Sequence, residues 1–307
     1  MPRLPACRRS LLSYALAIAA AVAAMPCTAN EIAVVIGETG AAYVEVAEEI
    51  RNRLEPTAKV SLHDTAGGAL PELGSARLAV AVGARAAAQL AGGPGSMPLL
   101  VTLMPREAFE RVARGRRAGT RPISAIHLDQ PVERQFDLIR LALPEAKRIG
   151  TLLGPASSPR YSTLAATAME RGFRLDARQV AQESDLAPAL QALLPDVDLL
   201  LALPDSAVFN AGTIQMILLS TYRHQRPLIG FSASYTRAGA VLSLFSTPRQ
   251  IGAQAADMLR AALASGRLPP PQYPREYQVA VNPHVAHSLG LRLESEQVLL
   301  QRLRALE

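Results

Sequence analysis

Residues 32–37 of the sequence read Ile-Ala-Val-Val-Ile-Gly, an apolar run that ends in a glycine. A short continuous run of β-branched and aliphatic residues is typical of a strand buried on both faces of a parallel sheet. The segment 42–54 follows, with Tyr43, Val46 and Ile50 at helical spacing. A buried strand, a loop with glycine and an amphipathic helix together form the opening unit of a doubly wound fold. The sequence therefore predicts an α/β domain that begins near residue 32.

The first 29 residues have the three-part layout of a secretory signal peptide. Arg3, Arg8 and Arg9 precede an uncharged stretch at 11–25, and small residues then lead to Ala29. This stretch is shorter than the roughly 20 apolar residues that a membrane-spanning helix needs, so an uncleaved anchor is the less favoured alternative. We expect cleavage after Ala29 and export to the periplasm.

Both cysteines of the chain, Cys7 and Cys27, lie in this leader. Cys27 has the position of the acylated cysteine of a lipoprotein, but Pro26 directly before it does not fit that signal. The mature chain is therefore expected to carry no lipid anchor and no cysteine. A mature chain without cysteine would have no disulfide, no thiol nucleophile and no cysteine-bound metal.

The charge of the chain does not favour a nucleic-acid partner. The formal charge is +6, and loss of the leader's three arginines lowers it to +3. One basic cluster lies at 111–121, without interleaved aromatic residues for base stacking. We interpret this cluster as a solvated helix end and loop.

Short apolar runs alternate with helical segments along the rest of the chain, as in parallel sheets with crossover helices. Two series of five runs proceed in the same way, which predicts two similar doubly wound lobes. The strands of the first series are predicted at 32–37, 59–63, 78–83, 98–103 and 123–127. Those of the second series are predicted at 148–154, 174–180, 197–203, 227–231 and 241–245. Long helices are predicted at 42–54, 132–143, 213–224 and 248–263, and a proline-rich connector at 268–274.

The passage from Pro131 to Leu153 reads PVERQFDLIRLALPEAKRIGTLL. It resembles the helix-to-strand passage of a family of bacterial ABC-transporter substrate-binding proteins that includes tryptophan and tyrosine binders. Further similar segments occur in order at 80–87, 203–206, 227–232 and 277–282. Each segment is a generic strand-turn-helix element. Their order and spacing over nearly all of the mature chain carry the resemblance.

The resemblance implies a type I periplasmic binding-protein fold, in which two α/β lobes joined by three hinge crossings close on a ligand. The crossings are expected near residues 127–130, 245–248 and 274–277. The lobes implied are an N-terminal lobe of 31–128 plus 247–275 and a C-terminal lobe of 129–246 plus 276–307.

The loops that follow the strands are the candidate ligand site, because the carboxyl ends of parallel strands meet at one crevice. In the N-terminal lobe, Tyr43 offers a ring face or a hydroxyl, with packing of the first helix as the alternative. The backbone amides of Gly83, Ala84 and Arg85 are expected to hold a ligand carboxylate at a helix N-terminus. Met104 stands where the resembled family often has an acid before proline.

The C-terminal lobe supplies the candidates Ser157, Tyr161, Asp205, Ser232 and Tyr235. Ser157 and Tyr161 bring a hydroxyl and a ring after one strand, and a plain helix cap is the alternative for the serine. The resemblance makes Asp205 a partner for a ligand ammonium, with a capping carboxylate as the alternative. Ser232 and Tyr235 would complete the polar shell.

Enzymatic and metal chemistry have weak support in the sequence. Residues 230–234 approach the Gly-x-Ser-x-Gly elbow of hydrolases, but Ser234 replaces its second glycine. Neither His63 nor the histidine pair at 284 and 287 has a nearby third metal ligand. We expect no enzyme activity, no metal and no other cofactor.

The sequence thus predicts a periplasmic solute-binding protein that captures a small molecule between two lobes and delivers it to an ABC-transporter permease. An amino acid or a similar zwitterion is the expected ligand, on the resemblance alone. An alternative keeps the fold but replaces the permease by a membrane sensor as partner.

Overall fold

The structure is a computed structural model, which describes residues 31–55, 57–65, 68–69, 72–74, 76–93, 96–115 and 121–307. The predicted signal peptide, residues 1–29, lies outside the described residues, as do Arg116 and Arg117 of the basic cluster. Within the described ranges, no helix has both the length and the apolar composition that a membrane crossing needs.

The first sheet is built from the apolar runs between residues 31 and 127. Its strands are β1 Glu31–Ile36, β2 Lys59–Asp64, β3 Leu78–Val82, β4 Leu99–Met104 and β5 Ile123–His127. All are parallel, in the order β2-β1-β3-β4-β5. Val34 at the centre of β1 is fully buried and pairs with Leu62 and Val80. Burial on both faces explains why β1 and β3 read as continuous apolar runs.

The second sheet contains the second predicted series and one additional strand. Its strands are β6 Arg148–Leu153, β7 Arg174–Gln179, β8 Leu199–Leu201, β9 Leu228–Gly230, β10 Leu242–Phe245 and β11 Gln278–Val281. The order is β11-β10-β9-β8-β6-β7, and β11 runs antiparallel to β10. The sequence predicts the other strands of this sheet but not β11, of whose four residues only Val279 is buried.

The helices cover both sheets. They are α1 Ala41–Leu54, α2 Ala84–Gly92, α3 Arg106–Arg114, α4 Val132–Ala142, α5 Tyr161–Glu170, α6 Leu186–Leu193, α7 Ile214–Arg223, α8 Ala233–Ala238, α9 Pro248–Ser265, α10 Pro283–Ser288 and α11 Glu296–Arg304. The four helices predicted from apolar spacing are α1, α4, α7 and α9. Helix α9 starts with a capping box, in which Gln250 N donates to Thr247 Oγ1 and Thr247 N donates to Gln250 Oε1.

Helix α9 returns the chain to the first sheet after the second sheet is formed. It packs against α1, and a Cβ at Gly252 would lie 2.7 Å from Glu49 Cβ and 3.0 Å from the Val46 carbonyl oxygen. Ile251 and Leu259 are buried in the same core as β1. The chain therefore forms two α/β lobes with mostly parallel sheets, as the sequence predicts. The exact lobe boundaries stay a prediction.

Three segments connect the lobes: one between β5 and α4, one between β10 and α9, and one between Gln272, which pairs with β5, and β11. Gln130 Nε2 in the first donates to Ser246 Oγ in the second at 2.8 Å. Ser246 Oγ donates in turn to the Glu276 carbonyl oxygen in the third at 2.5 Å. One chain of hydrogen bonds thus joins all three crossings.

Candidate functional site

A cleft of about 580 Å³, called the interlobe cleft below, lies where the carboxyl ends of the two parallel sheets face each other. Its first wall is Glu38, Tyr43, Ala84, Ala88, Leu103, Met104, Pro105, Ala108, Arg111, Val112 and Leu128. Its second wall is Ala156, Pro204, Asp205, Ser206, Phe209 and Phe231. Both lobes therefore contribute to one cavity whose surface is mostly apolar.

Glu38 occupies the helix N-terminus that the sequence assigns to a ligand. Arg85 N, in the first turn of α2, donates to Glu38 Oε1 at 2.8 Å. Gly83 precedes this turn with φ 100°, and a Cβ there would lie 1.8 Å from Glu38 Oε2. Glycine is thus needed both for the backbone conformation and for space. The Arg85 amide is engaged by a side chain of the protein, so the expected ligand carboxylate at Gly83–Arg85 has no support here.

Tyr43 lies in the wall of the interlobe cleft, where the sequence expects it. The side chain is half-buried, and this burial, followed by the charge of Glu38, raises the pKa of its phenol. The phenol is therefore neutral at physiological pH. It offers the cleft a ring face and a hydroxyl donor next to an acid.

Asp205 lines the cleft, but both of its carboxylate oxygens are engaged within the protein. Oδ2 accepts from Ala156 N at 3.1 Å, from Ser157 N at 2.9 Å and from Ser157 Oγ at 2.8 Å. Oδ1 accepts from Ala207 N at 3.1 Å. A Cβ at Gly154 would lie 2.6 Å from this carboxylate. The geometry supports the capping alternative for Asp205 and leaves Ser157 bound to it, rather than an ammonium site.

The remaining predicted residues lie away from the interlobe cleft. Tyr161 is 41% exposed on α5, and its hydroxyl donates to the Leu175 carbonyl oxygen at 3.4 Å. Ser232 and Tyr235 line a neighbouring cavity of about 420 Å³, called the side chamber below. Burial raises the pKa of Tyr235. These three residues are thus not brought together with Tyr43.

Two aromatic rings separate the interlobe cleft from the side chamber. Phe209 and Phe231 line both cavities, with ring centroids 6.4 Å apart and an interplanar angle of 88°. Phe231 also contacts Tyr235, at a centroid distance of 4.6 Å. The rings form an apolar partition that a ligand in the cleft would touch.

The sequence places the loop 38–43, which follows β1, in the wall of the cleft, but only Tyr43 of that loop is predicted as a ligand contact. Glu38 is not predicted as a contact, and Arg111 is not predicted to line the cleft. Arg111 belongs to the basic cluster interpreted as a solvated helix end, yet it lines the cleft from α3. No group of three or more His, Cys, Asp or Glu suited to a metal occurs in the part of the chain that the structure describes.

An ion pair joins the lobes beside the interlobe cleft, in a small neighbouring cavity that shares Ala156 and Pro204 with it. Arg160 Nε, just before α5, lies 3.1 Å from Glu107 Oε1 on α3, and Arg160 Nη1 lies 4.0 Å from Asp129 Oδ1. Asp129 Oδ2 accepts from Arg106 N at 2.6 Å. Burial raises the pKa values of both Glu107 and Asp129. The pair lies beside the first hinge crossing and couples the two lobes electrostatically.

His127 ends β5 next to this ion pair. Its ring lies between Phe109 and Tyr273, with centroids 5.5 Å and 5.4 Å away. Burial, followed by the charge of Arg106, lowers the pKa of His127 to about 4. The imidazole is therefore neutral at physiological pH.

The family model that describes ABC transporter substrate binding proteins matches residues 75–303. No curated protein matches the chain in sequence.

Solved structures share the fold of the chain at low sequence identity. An ABC domain from Streptococcus pneumoniae in complex with L-Trp is 15% identical, with 89% of this chain and 98% of that chain covered at a TM-score of 0.66. A conserved domain protein from Vibrio cholerae is 22% identical, with 90% and 98% covered and a TM-score of 0.67. A periplasmic solute-binding protein from Actinobacillus succinogenes with bound D-allose is 12% identical, with 84% and 99% covered and a TM-score of 0.50. At these identities the likenesses establish the fold alone.

Asp205→Asn should lower the free energy of unfolding by about 2–4 kcal/mol, because an amide cannot accept from all the donors that face the carboxylate. Urea unfolding without ligand measures this loss. Asp196→Asn, at an exposed acid in the same lobe, is the control and should change stability by no more than about 0.5 kcal/mol. Equal stability of the Asp205 variant and the wild type would contradict the capping role.

The neutral state of buried His127 predicts a loss of stability in acid. Its pKa is about 4 when folded and about 6.5 when unfolded. The unfolded chain therefore binds the proton first as the pH falls, and unfolding becomes easier by up to about 3 kcal/mol across this window.

Urea unfolding at several pH values between about 7 and about 4.5 measures this effect as the difference between the wild type and His127→Phe. The comparison with the variant is needed because the raised pKa values of Glu107 and Asp129 act in the opposite direction. Phenylalanine suits the aromatic site and does not titrate, so the variant should lose less stability in acid. Parallel pH profiles of the two proteins would refute this role.

Proposed function

The chain belongs to the ABC transporter substrate-binding protein family, and on that premise we propose that it captures an amino acid or a similar small molecule between its lobes for delivery to a membrane permease. The interlobe cleft carries this proposal, since its wall comes from both sheets. A cavity of about 580 Å³ lies within the range of small-molecule sites, roughly 300–1,000 Å³.

The hinge geometry supports capture by lobe movement. Hydrogen bonds of the Gln130 and Ser246 side chains join the three segments. Such short connecting segments absorb rotation while the lobes stay rigid. Closure would expel water from the mostly apolar cleft and bring the second wall onto the ligand. No covalent step is part of this function.

The ligand class draws support from two sides. The relative from Streptococcus pneumoniae has L-Trp bound, and that from Actinobacillus succinogenes has D-allose bound, so the fold accepts both ligand types. The apolar surface of the interlobe cleft favours a ligand with an apolar part over a sugar, whose hydroxyls need many polar partners. We therefore place an amino acid first.

The family and the predicted leader both support a periplasmic setting. A protein exported to the periplasm would meet its ligand there and dock on a permease in the inner membrane. The membrane sensor remains the alternative partner, since the same closed form would be its signal.

The mature protein should gain thermal stability from one member of a panel of amino acids and sugars. A ligand at one hundred times its Kd stabilises the native state by roughly 3 kcal/mol, which raises the Tm by several degrees. Ala88→Arg is the matched control, because it places a long side chain at an exposed helix position in the cleft wall. This variant should fold and lose the response, whereas no response of the wild type to any compound would reject solute capture.

Deletion of the gene from its host should abolish high-affinity uptake of the ligand identified in this way. Accumulation of the radiolabelled ligand by cells measures uptake, and a plasmid copy should restore it. The Ala88→Arg copy provides the comparison and should fail to restore it. Undiminished uptake in the deletion strain would favour a membrane sensor as the partner.

A further inference from the structure

We propose that Glu38 and Arg111 are the two charged anchors of the interlobe cleft, and that its ligand is a zwitterion with an apolar side chain. This inference rests on the proposed function and assigns the head group of the ligand to the first lobe. It replaces the anchors expected from the sequence, the Arg85 amide and the Asp205 carboxylate, which are both engaged within the protein.

Glu38 has one carboxylate oxygen without a hydrogen-bond donor. Oε1 accepts from Arg85 N, whereas Oε2 is shielded from solvent and has no hydrogen-bond partner among the described residues. A carboxylate oxygen in this state is unfavourable, since it has lost water without gaining a donor. The ammonium group of a ligand supplies up to three donors and a compensating charge. The fixed bond to α2 keeps the carboxylate in place for it.

Arg111 is a cation of the cleft wall that forms no ion pair with a described residue. Its neighbours differ in this respect: Arg106 pairs with Glu110 at 2.7 Å, and Arg160 pairs with Glu107 at 3.1 Å. A planar guanidinium matches the two oxygens of a carboxylate. Arg111 is exposed at this position, so solvent weakens its attraction more than that of Glu38.

The apolar part of the cleft begins at an irregularity of β4. Successive residues of a regular strand face opposite sides of the sheet, yet Leu103 and Met104 both line the cleft. Leu103 has φ 52°, and the pairing of β4 with β5 shifts between Val101 and Met104. This bulge turns two adjacent apolar side chains into the site. With Phe209 and Phe231 opposite, they form a surface for an aliphatic or aromatic side chain.

These features select against a neutral sugar. The polar groups of the wall are few, and Asp205 is already engaged. A sugar would leave Glu38 Oε2 without a cationic partner and would place hydroxyls against Leu103, Met104 and the two phenylalanine rings. An amino acid with an apolar side chain satisfies both the charges and the apolar surface.

Isothermal titration calorimetry of the mature protein with L-leucine, L-methionine, L-phenylalanine and L-tryptophan tests this inference, with D-glucose as the neutral comparison. Glu38→Gln should weaken the best amino acid roughly 10- to 100-fold, and Arg111→Gln roughly 3- to 10-fold. Glutamine keeps an acceptor for Arg85 N, and circular dichroism checks the fold. Glu45→Gln and Arg114→Gln, at exposed charges outside the cleft wall, are matched controls and should bind as the wild type does.

Analogues of L-phenylalanine assign each anchor to its group. Phenethylamine lacks the carboxylate, so Arg111→Gln should bind it as the wild type does. 3-Phenylpropionate lacks the ammonium, so Glu38→Gln should bind it no more weakly than the wild type does.

The outcomes separate this inference from the proposed function. Binding of an amino acid that neither variant weakens would overturn the anchors, and binding of D-glucose with no amino acid bound would overturn the ligand class. Solute capture would stand in both cases. Absence of binding by every compound in this set and in the wider panel would reject the function and the inference together.

Discussion

The hydrogen bonds of the three crossings are the constraint on which the rest of the structure depends. Gln130, Ser246 and Glu276 lie on three different crossings and are joined in one chain, so the ends of both sheets are held at the same place. Because the strands of each sheet are parallel, apart from β11, their carboxyl ends face one gap. A cleft between the two lobes follows from this geometry.

The sequence predicts the architecture well because the relevant signals are local. The strands β1 and β3 are buried on both faces, so their sequences are continuous apolar runs. The start of α9 is marked in the sequence by Thr247 and Pro248, and its length by apolar residues at helical spacing. Strand β11 escapes because an antiparallel strand at the sheet edge is only partly buried, and its four residues carry little pattern. The bulge at Leu103 is not predicted either, because no local rule places leucine at positive φ.

The site is predicted less well, because hydrogen bonds between residues far apart in the sequence decide which polar atoms remain available to a ligand. Asp205 follows a strand, as a binding residue would, but Ser157, forty-eight positions earlier, takes its oxygen. Likewise Glu38 reaches across forty-seven positions to the Arg85 amide. The spacing of apolar residues in the sequence locates the loops at the carboxyl edge of a sheet. The packed structure then decides which hydrogen-bond donor lies next to which acceptor. Arg111 is exposed on its helix, as expected, but it also lies in the cleft wall, which spacing in the sequence does not show.

The ion pair between Arg160 and Glu107 spans the two lobes and suits the proposed capture and release of a ligand. Both side chains are largely shielded from solvent in this structure. The loss of hydration is unfavourable for each charge, and the attraction between the charges offsets it only in part. Separation of the lobes would rehydrate both charges, so the pair holds the lobes together only weakly. A ligand that contacts Leu103 and Met104 on one wall and Phe209 and Phe231 on the other would add an attraction between the lobes, so that closure would depend on occupancy of the cleft.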